Sequence, residues 1–380
     1  MSTSPLARIS EAGVSVWLDD LSRNALQDGS LARMIETHHV VGVTTNPTIF
    51  AGAVSDGEAY QAQLAALAAS GADVESAVLA LTTDDVRSAC DLFAGVYQRT
   101  GGQDGRVSIE VDPRLAHDTE ATIEAARLLW RTVDRPNVMI KIPATVEGLP
   151  AITAAIGEGI SVNVTLIFSL DRYRAVAQAY LDGLEQAQGA GLDLGSIRSV
   201  ASIFLSRIDT KVDAALDEIG TDQARAVRGR TAIAGARLAY QVFQEIFSSP
   251  RFEALAQAGA HVQRPLWAST GTKDPAYPDT MYVDELVTAD VVNTMPAATL
   301  AAVADHSPAT GADTVQDRYA EAQDVVDEVL RLGVHYEEIL TDLETAGVES
   351  FIASWEELLA TVGGELDRAG RAQPAAGGNA

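Results

Sequence analysis

The chain has 380 residues and is strongly acidic: 27 Lys and Arg against 53 Asp and Glu give a formal net charge of -26 and a pI near 4.4. Such a surface suits neither nucleic acid nor anionic membrane, so any bound anion needs a local basic site. One cysteine, Cys90, leaves no intramolecular disulfide and no cysteine-based zinc cage, while 47% hydrophobic content allows a sizeable core.

No leader of basic then apolar residues opens the chain, and no apolar run reaches ~18 residues. Cytoplasm is therefore the expected location. Val14 to Leu18 reads as a first strand ending in Asp19-Asp20, and Val40 to Thr44 as a second, closed by TTNP at Thr44 to Pro47. From about Ala53 to Thr100 the apolar spacing is helical, with Val86, Cys90, Phe93 and Tyr97 in step, which predicts a helical insertion before the third strand. Cys90 is expected in the core.

Gly101, Gly102 and Gly105 lead into Val107 to Val111, which carries Glu110. Strand four is NVMIKIP, Asn137 to Pro143, strand five Ile160 to Phe168, and strand six Ser199 to Leu205. Pro265 to Ser269 and Val291 to Met295 follow as strands seven and eight, with helical stretches between the strands. Eight strands alternating with helices, without a GxGxxG turn or a linker, predict one (β/α)8 TIM barrel of the α/β class spanning residues 1–365. Beyond the barrel strands, about Ala312 to Val362 is expected to be helical. Its stripe of Val348, Phe351, Ile352, Trp355, Leu359 and Val362 could cover the barrel's outside or build a homo-oligomer. Residues 366–380 are rich in alanine and glycine and read as a flexible tail.

NVMIKIP holds the residue that most needs explaining. Lys141 interrupts an apolar strand, and a buried amine there either meets a carboxylate, reaches the open strand end, or serves as a Schiff-base nucleophile. Barrel active sites lie at the C-terminal strand ends. The polar residues expected there are Asp19, Asn46, Glu110, Lys141, Asn163, Thr165, Ser202 and Arg207. Several have plain structural readings: Asp19 as a helix cap, Thr165 as an ordinary strand residue, Asn46 as an Asx turn. Glu110 and Lys141 read either as a buried ion pair or as an amine with its proton shuttle. In the segment Trp267 to Pro275, Ser269 and Lys273 are candidate phosphate ligands beside Arg207, with Lys273 equally readable as a loop cation. The six histidines, His38 and His39 among them, show no metal-ligand spacing.

GVTTNPTIF at Gly42 to Phe50 and VMIKIPATVEGL at Val138 to Leu149 resemble the two signatures of the transaldolase family. Further similarity runs through VSIEVDPRL, ISVNVTLIFS, ASIFLSRID and WASTG, from about Val14 to Thr299. The resemblance implies transfer of a dihydroxyacetone unit between phosphorylated sugars, with neither metal nor organic cofactor. It implies Lys141 as the Schiff-base residue, Asp19 as the acid/base at the carbon-carbon bond, and Glu110 with Thr165 handling a catalytic water. Asn46 and Asn163 match the residues that hold the dihydroxyacetone hydroxyls, Ser202 a polar substrate contact, and Arg207 a phosphate ligand. The family's second phosphate arginine is replaced here by Gly271, with Lys273 two residues on. The fructose 6-phosphate aldolase branch typically has glutamine at the place of Glu110 and tyrosine at the place of Phe204, so both positions favour transfer over release.

Overall fold

The computed structural model describes residues 4–55 and 58–372. Eight parallel strands close into a barrel in chain order: β1 Val14–Asp19, β2 Val40–Thr44, β3 Arg106–Glu110, β4 Val138–Pro143, β5 Val162–Ile167, β6 Ser199–Phe204, β7 Gln263–Ala268 and β8 Val291–Met295. Closure leaves no sheet edge, because β1 pairs with both β2 and β8. Strands covered by helices outside and packed side chains inside read as apolar runs, and for that reason they were legible.

Two strands begin earlier than their apolar runs suggest. Arg106 opens β3 and sends its guanidinium to the Gly102 and Pro136 carbonyls, while Arg264 in β7 pairs with Asp104 at 3.0 Å and with Ser15 at 2.7 Å. These charges are satisfied within the fold, so they extend the strands instead of ending them. Trp17 occupies the space beside Gly42 of β2: a Cβ at Gly42 would stand 2.5 Å from the indole. That glycine is part of GVTTNP for a packing reason.

Between β2 and β3 lie helices Pro47–Ser55, Gln61–Ser70 and Val74–Arg99, the expected insertion, with Cys90 fully buried. The segment after β8 forms Tyr319–Arg331 and then Tyr336–Ala372, separated at Gly333, whose φ is 87°. The final helix has 37 residues and is therefore about 55 Å long. It packs on all three insertion helices and on helix Ser206–Ile219, which follows β6. Its apolar stripe thus bridges elements at the C-terminal end of the barrel. The helix continues past residue 366, with Leu366 and Ala369 buried; the rest of the expected tail, 373–380, lies outside the described residues. No described helix is long and apolar enough to cross a membrane.

Candidate active site

Strand register brings the central pair together. Glu110 of β3 aligns with Lys141 of β4, and Lys141 in turn aligns with Asn163 of β5. Lys141 Nζ donates to Glu110 Oε2 at 3.2 Å and to the Thr45 carbonyl at 3.1 Å. Both side chains are almost wholly buried, 6% and 3% exposed. Burial lifts the Glu110 carboxyl from 4.5 to about 7, against the opposing pull of Lys141. A carboxyl poised near neutrality can both take and return a proton.

Asp19 ends β1 across from Thr44, whose hydroxyl donates to Asp19 Oδ1 at 2.6 Å and meets the Thr294 hydroxyl at 2.6 Å. Burial raises the Asp19 carboxyl above the usual range; the Lys141 charge and the Thr44 hydrogen bond pull the other way. Asp19, Asn46, Lys141, Thr165, Ser202, Arg207 and Ser269 line one pocket of about 480 Å³ at the barrel mouth, with Thr44, Phe204, Ala268, Thr294 and Phe351. Glu110 reaches this pocket through Lys141.

The wall beside Thr165 is irregular. Pairing of β5 with β6 slips between Val164 and Ile167, and Leu166 has a φ of 61°. A bulge with a left-handed leucine next to a site residue is a strained arrangement of the kind found at functional positions. Thr165 Oγ1 and Glu110 Oε1 are both buried and have no hydrogen-bond partner among the described residues. Two such oxygens beside the amine could share a small polar molecule.

Other expected residues are differently placed. Asn163 is tied at both ends, donating to Ser108 Oγ at 3.0 Å and accepting from Ser202 Oγ at 2.7 Å, beneath the pocket lining. Asn46 lines the pocket and also forms the Asx turn, since its side-chain oxygen accepts from Ile49 N at 3.0 Å. Arg207 is half-buried, its guanidinium 5.5 Å from the Phe204 ring centroid, with no ion-pair partner among the described residues. Burial lowers its pKa, as expected for a cation without a counter-charge. Ser269 meets Ser206 at 2.8 Å, beside Arg207. Lys273 is exposed in a neighbouring cleft with Asp209, Asp213, Asp217 and Asp274, and does not line the pocket. The loop leaves β7 through Ser269 in a left-handed conformation, φ 56°, and carries Lys273 away.

Thr44, Thr294 and Phe351 were missed as site residues. The two threonines had a signal, standing at strand ends like the others. Phe351 had only an apolar stripe with no stated partner. Among the described residues, no cluster of three or more His, Cys, Asp or Glu could hold a metal ion.

A family model described as Transaldolase/Fructose-6-phosphate aldolase matches residues 16–362. The "Transaldolase" of Thermobifida fusca (strain YX) is 61% identical over 363 residues, 96% of this chain and 98% of that protein. "Transaldolase 1" of Streptomyces coelicolor is 59% identical, covering 96% of each chain. The "Transaldolase" of Mycolicibacterium smegmatis is 58% identical over 370 residues, 97% of this chain and all of that protein. With the barrel, the strand-four lysine and this nearly full-length similarity in agreement, the chain belongs to the transaldolase/fructose-6-phosphate aldolase family.

Proposed function

We propose that this chain is a transaldolase, a transferase that moves a dihydroxyacetone unit from a ketose phosphate to an aldose phosphate through a Schiff base on Lys141. The donors are sedoheptulose 7-phosphate or fructose 6-phosphate, and the acceptors glyceraldehyde 3-phosphate or erythrose 4-phosphate, as in a cytoplasmic pentose phosphate pathway. The observation that carries the reading is the Lys141 amine, buried at the open end of β4, bonded to a carboxyl held near pH 7 and sharing its pocket with a second acid, Asp19.

In this scheme the amine attacks the ketose carbonyl. Glu110 and Thr165 handle the water that leaves as carbinolamine becomes imine. Asp19 takes the proton of the hydroxyl whose carbon becomes the product aldehyde, and the imine holds the electron pair left by the broken carbon-carbon bond. The acceptor aldehyde then adds to the resulting enamine, with Asp19 returning the proton. Imine hydrolysis releases the new ketose.

Glu110 gives this scheme a pH dependence. Taking the ammonium proton requires the ionised carboxylate, so kcat falls as pH drops below about 7. Glu110→Gln should lower kcat and remove that limb from the pH profile; a limb unchanged in the variant would assign it to another group.

Arg207, unpaired in a chain of net charge -26, is the proposed phosphate ligand. Arg207→Ala should raise KM for fructose 6-phosphate on the order of 10- to 100-fold, with little effect on unphosphorylated dihydroxyacetone as donor. Equal effects on both donors would remove the phosphate role. To test the transfer itself, fructose 6-phosphate turnover is compared with and without erythrose 4-phosphate. Strong dependence on the acceptor is expected, and fast turnover without one would instead describe an aldolase.

A further inference from the structure

Phe351 comes from the final helix, far along the chain from the catalytic strands, yet its ring centroid lies 5.3 Å from Lys141 Nζ. The side chain is 5% exposed and lines the same pocket as Asp19, Thr165 and Arg207. An aromatic face at this distance attracts an ammonium and keeps water from that side of it.

The helix is anchored on both sides of Phe351. Before it, Arg172 Nε and Nη2 bind both Glu344 oxygens at 2.9 and 3.0 Å, a bidentate geometry. After it, Thr48 Oγ1 donates to Ser354 Oγ at 2.8 Å. Gly347 sits directly over the β5 bulge: a Cβ there would stand 3.0 Å from Leu166 Cδ2 and 3.5 Å from Phe168. The left-handed Leu166, next in sequence to Thr165, therefore meets the helix one turn before Phe351. The strained wall and the aromatic cover form one contact.

The geometry points to Phe351 as a specificity-determining residue that sets how the enamine on Lys141 is partitioned between transfer and release. This rests on the Schiff-base reading above. Once the donor's carbon-carbon bond has broken, the enamine has two fates. Its carbon can bond to an acceptor aldehyde, whose oxygen takes a proton. Alternatively the carbon takes a proton, and water then adds to the iminium carbon and expels the Lys141 amine, releasing dihydroxyacetone. The second route consumes water, and an apolar ring against the nitrogen disfavours it.

The test uses the full chain as wild type, Phe351→Ala and Phe351→Leu. With fructose 6-phosphate as donor, dihydroxyacetone release without acceptor and transfer to erythrose 4-phosphate are measured together, and borohydride trapping is followed by mass. Phe351→Ala should retain trapping and raise the release-to-transfer ratio on the order of tenfold. Phe351→Leu, which keeps an apolar cover and fills most of the space, should fall between the two. If both variants keep the wild-type ratio, the role is overturned, whatever happens to their overall rate. If leucine changes the ratio as much as alanine, cover by apolar bulk is likewise overturned. Absence of trapping in the wild type would overturn the Schiff-base reading itself, and is thereby distinguished from failure at Phe351.

Discussion

Lys141→Ala is expected to lower turnover by more than about 10⁴-fold, since no other group can form the imine that takes up the electron pair of the cleaved bond. The fold should survive. Removing the amine strands Glu110 beside an apolar strand, yet its carboxyl is already lifted to about 7 by burial. Without the Lys141 charge it can take up a proton and become neutral, so no uncompensated ion remains. Circular dichroism and thermal unfolding of the variant check that the loss is chemical. Activity within tenfold of wild type would place the nucleophile elsewhere.

Asp19→Asn separates bond cleavage from imine formation. Asparagine keeps the shape and can still accept from the Thr44 hydroxyl, which bonds Asp19 at 2.6 Å, but it cannot take a proton. A loss of about 10²- to 10⁴-fold in kcat is expected from removing a general base. The informative readout is the adduct reduced by borohydride in the presence of fructose 6-phosphate. Wild type should carry a three-carbon unit, whereas Asp19→Asn should accumulate the uncleaved hexose phosphate on Lys141. A three-carbon adduct formed at the wild-type rate would remove Asp19 from the cleavage step. Failure of the correctly folded variant to trap any adduct would move Asp19 to imine formation.

The parts of the site that could be read in advance follow from strand register. Once Glu110 and Lys141 sit near the ends of consecutive parallel strands, the barrel forces them side by side, and the same logic places Asp19 and Thr165 around one mouth. The buried strands announced themselves as apolar runs, with Arg106 and Arg264 hidden because their charges are satisfied inside the fold. Loops and long-range packing carried no such rule. Spacing alone suggested Lys273 as a phosphate ligand, yet a left-handed turn at Ser269 sends it into an acidic cleft.

Phe351 illustrates the other limit. Its place in an apolar stripe established that the helix must be covered, and the two covers considered were the barrel's outer wall and a second subunit. Neither pattern nor propensity shows that a helix of 37 residues turns back over the catalytic end. That depends on the break at Gly333 and on close packing of Gly347 against Leu166. Leu166 itself breaks the alternation expected of β5, and its sequence neighbours give no sign of a bulge.

The central claim is a covalent bond at one nitrogen, and the chain makes it easy to read because its lysines are Lys141, Lys211 and Lys273 alone. The two others are exposed, while Lys141 is buried against Glu110. Incubation with fructose 6-phosphate and borohydride, followed by intact mass and peptide mapping, should show one three-carbon adduct per chain, located on Lys141. No adduct, or one confined to Lys211 or Lys273, would contradict covalent catalysis at this site.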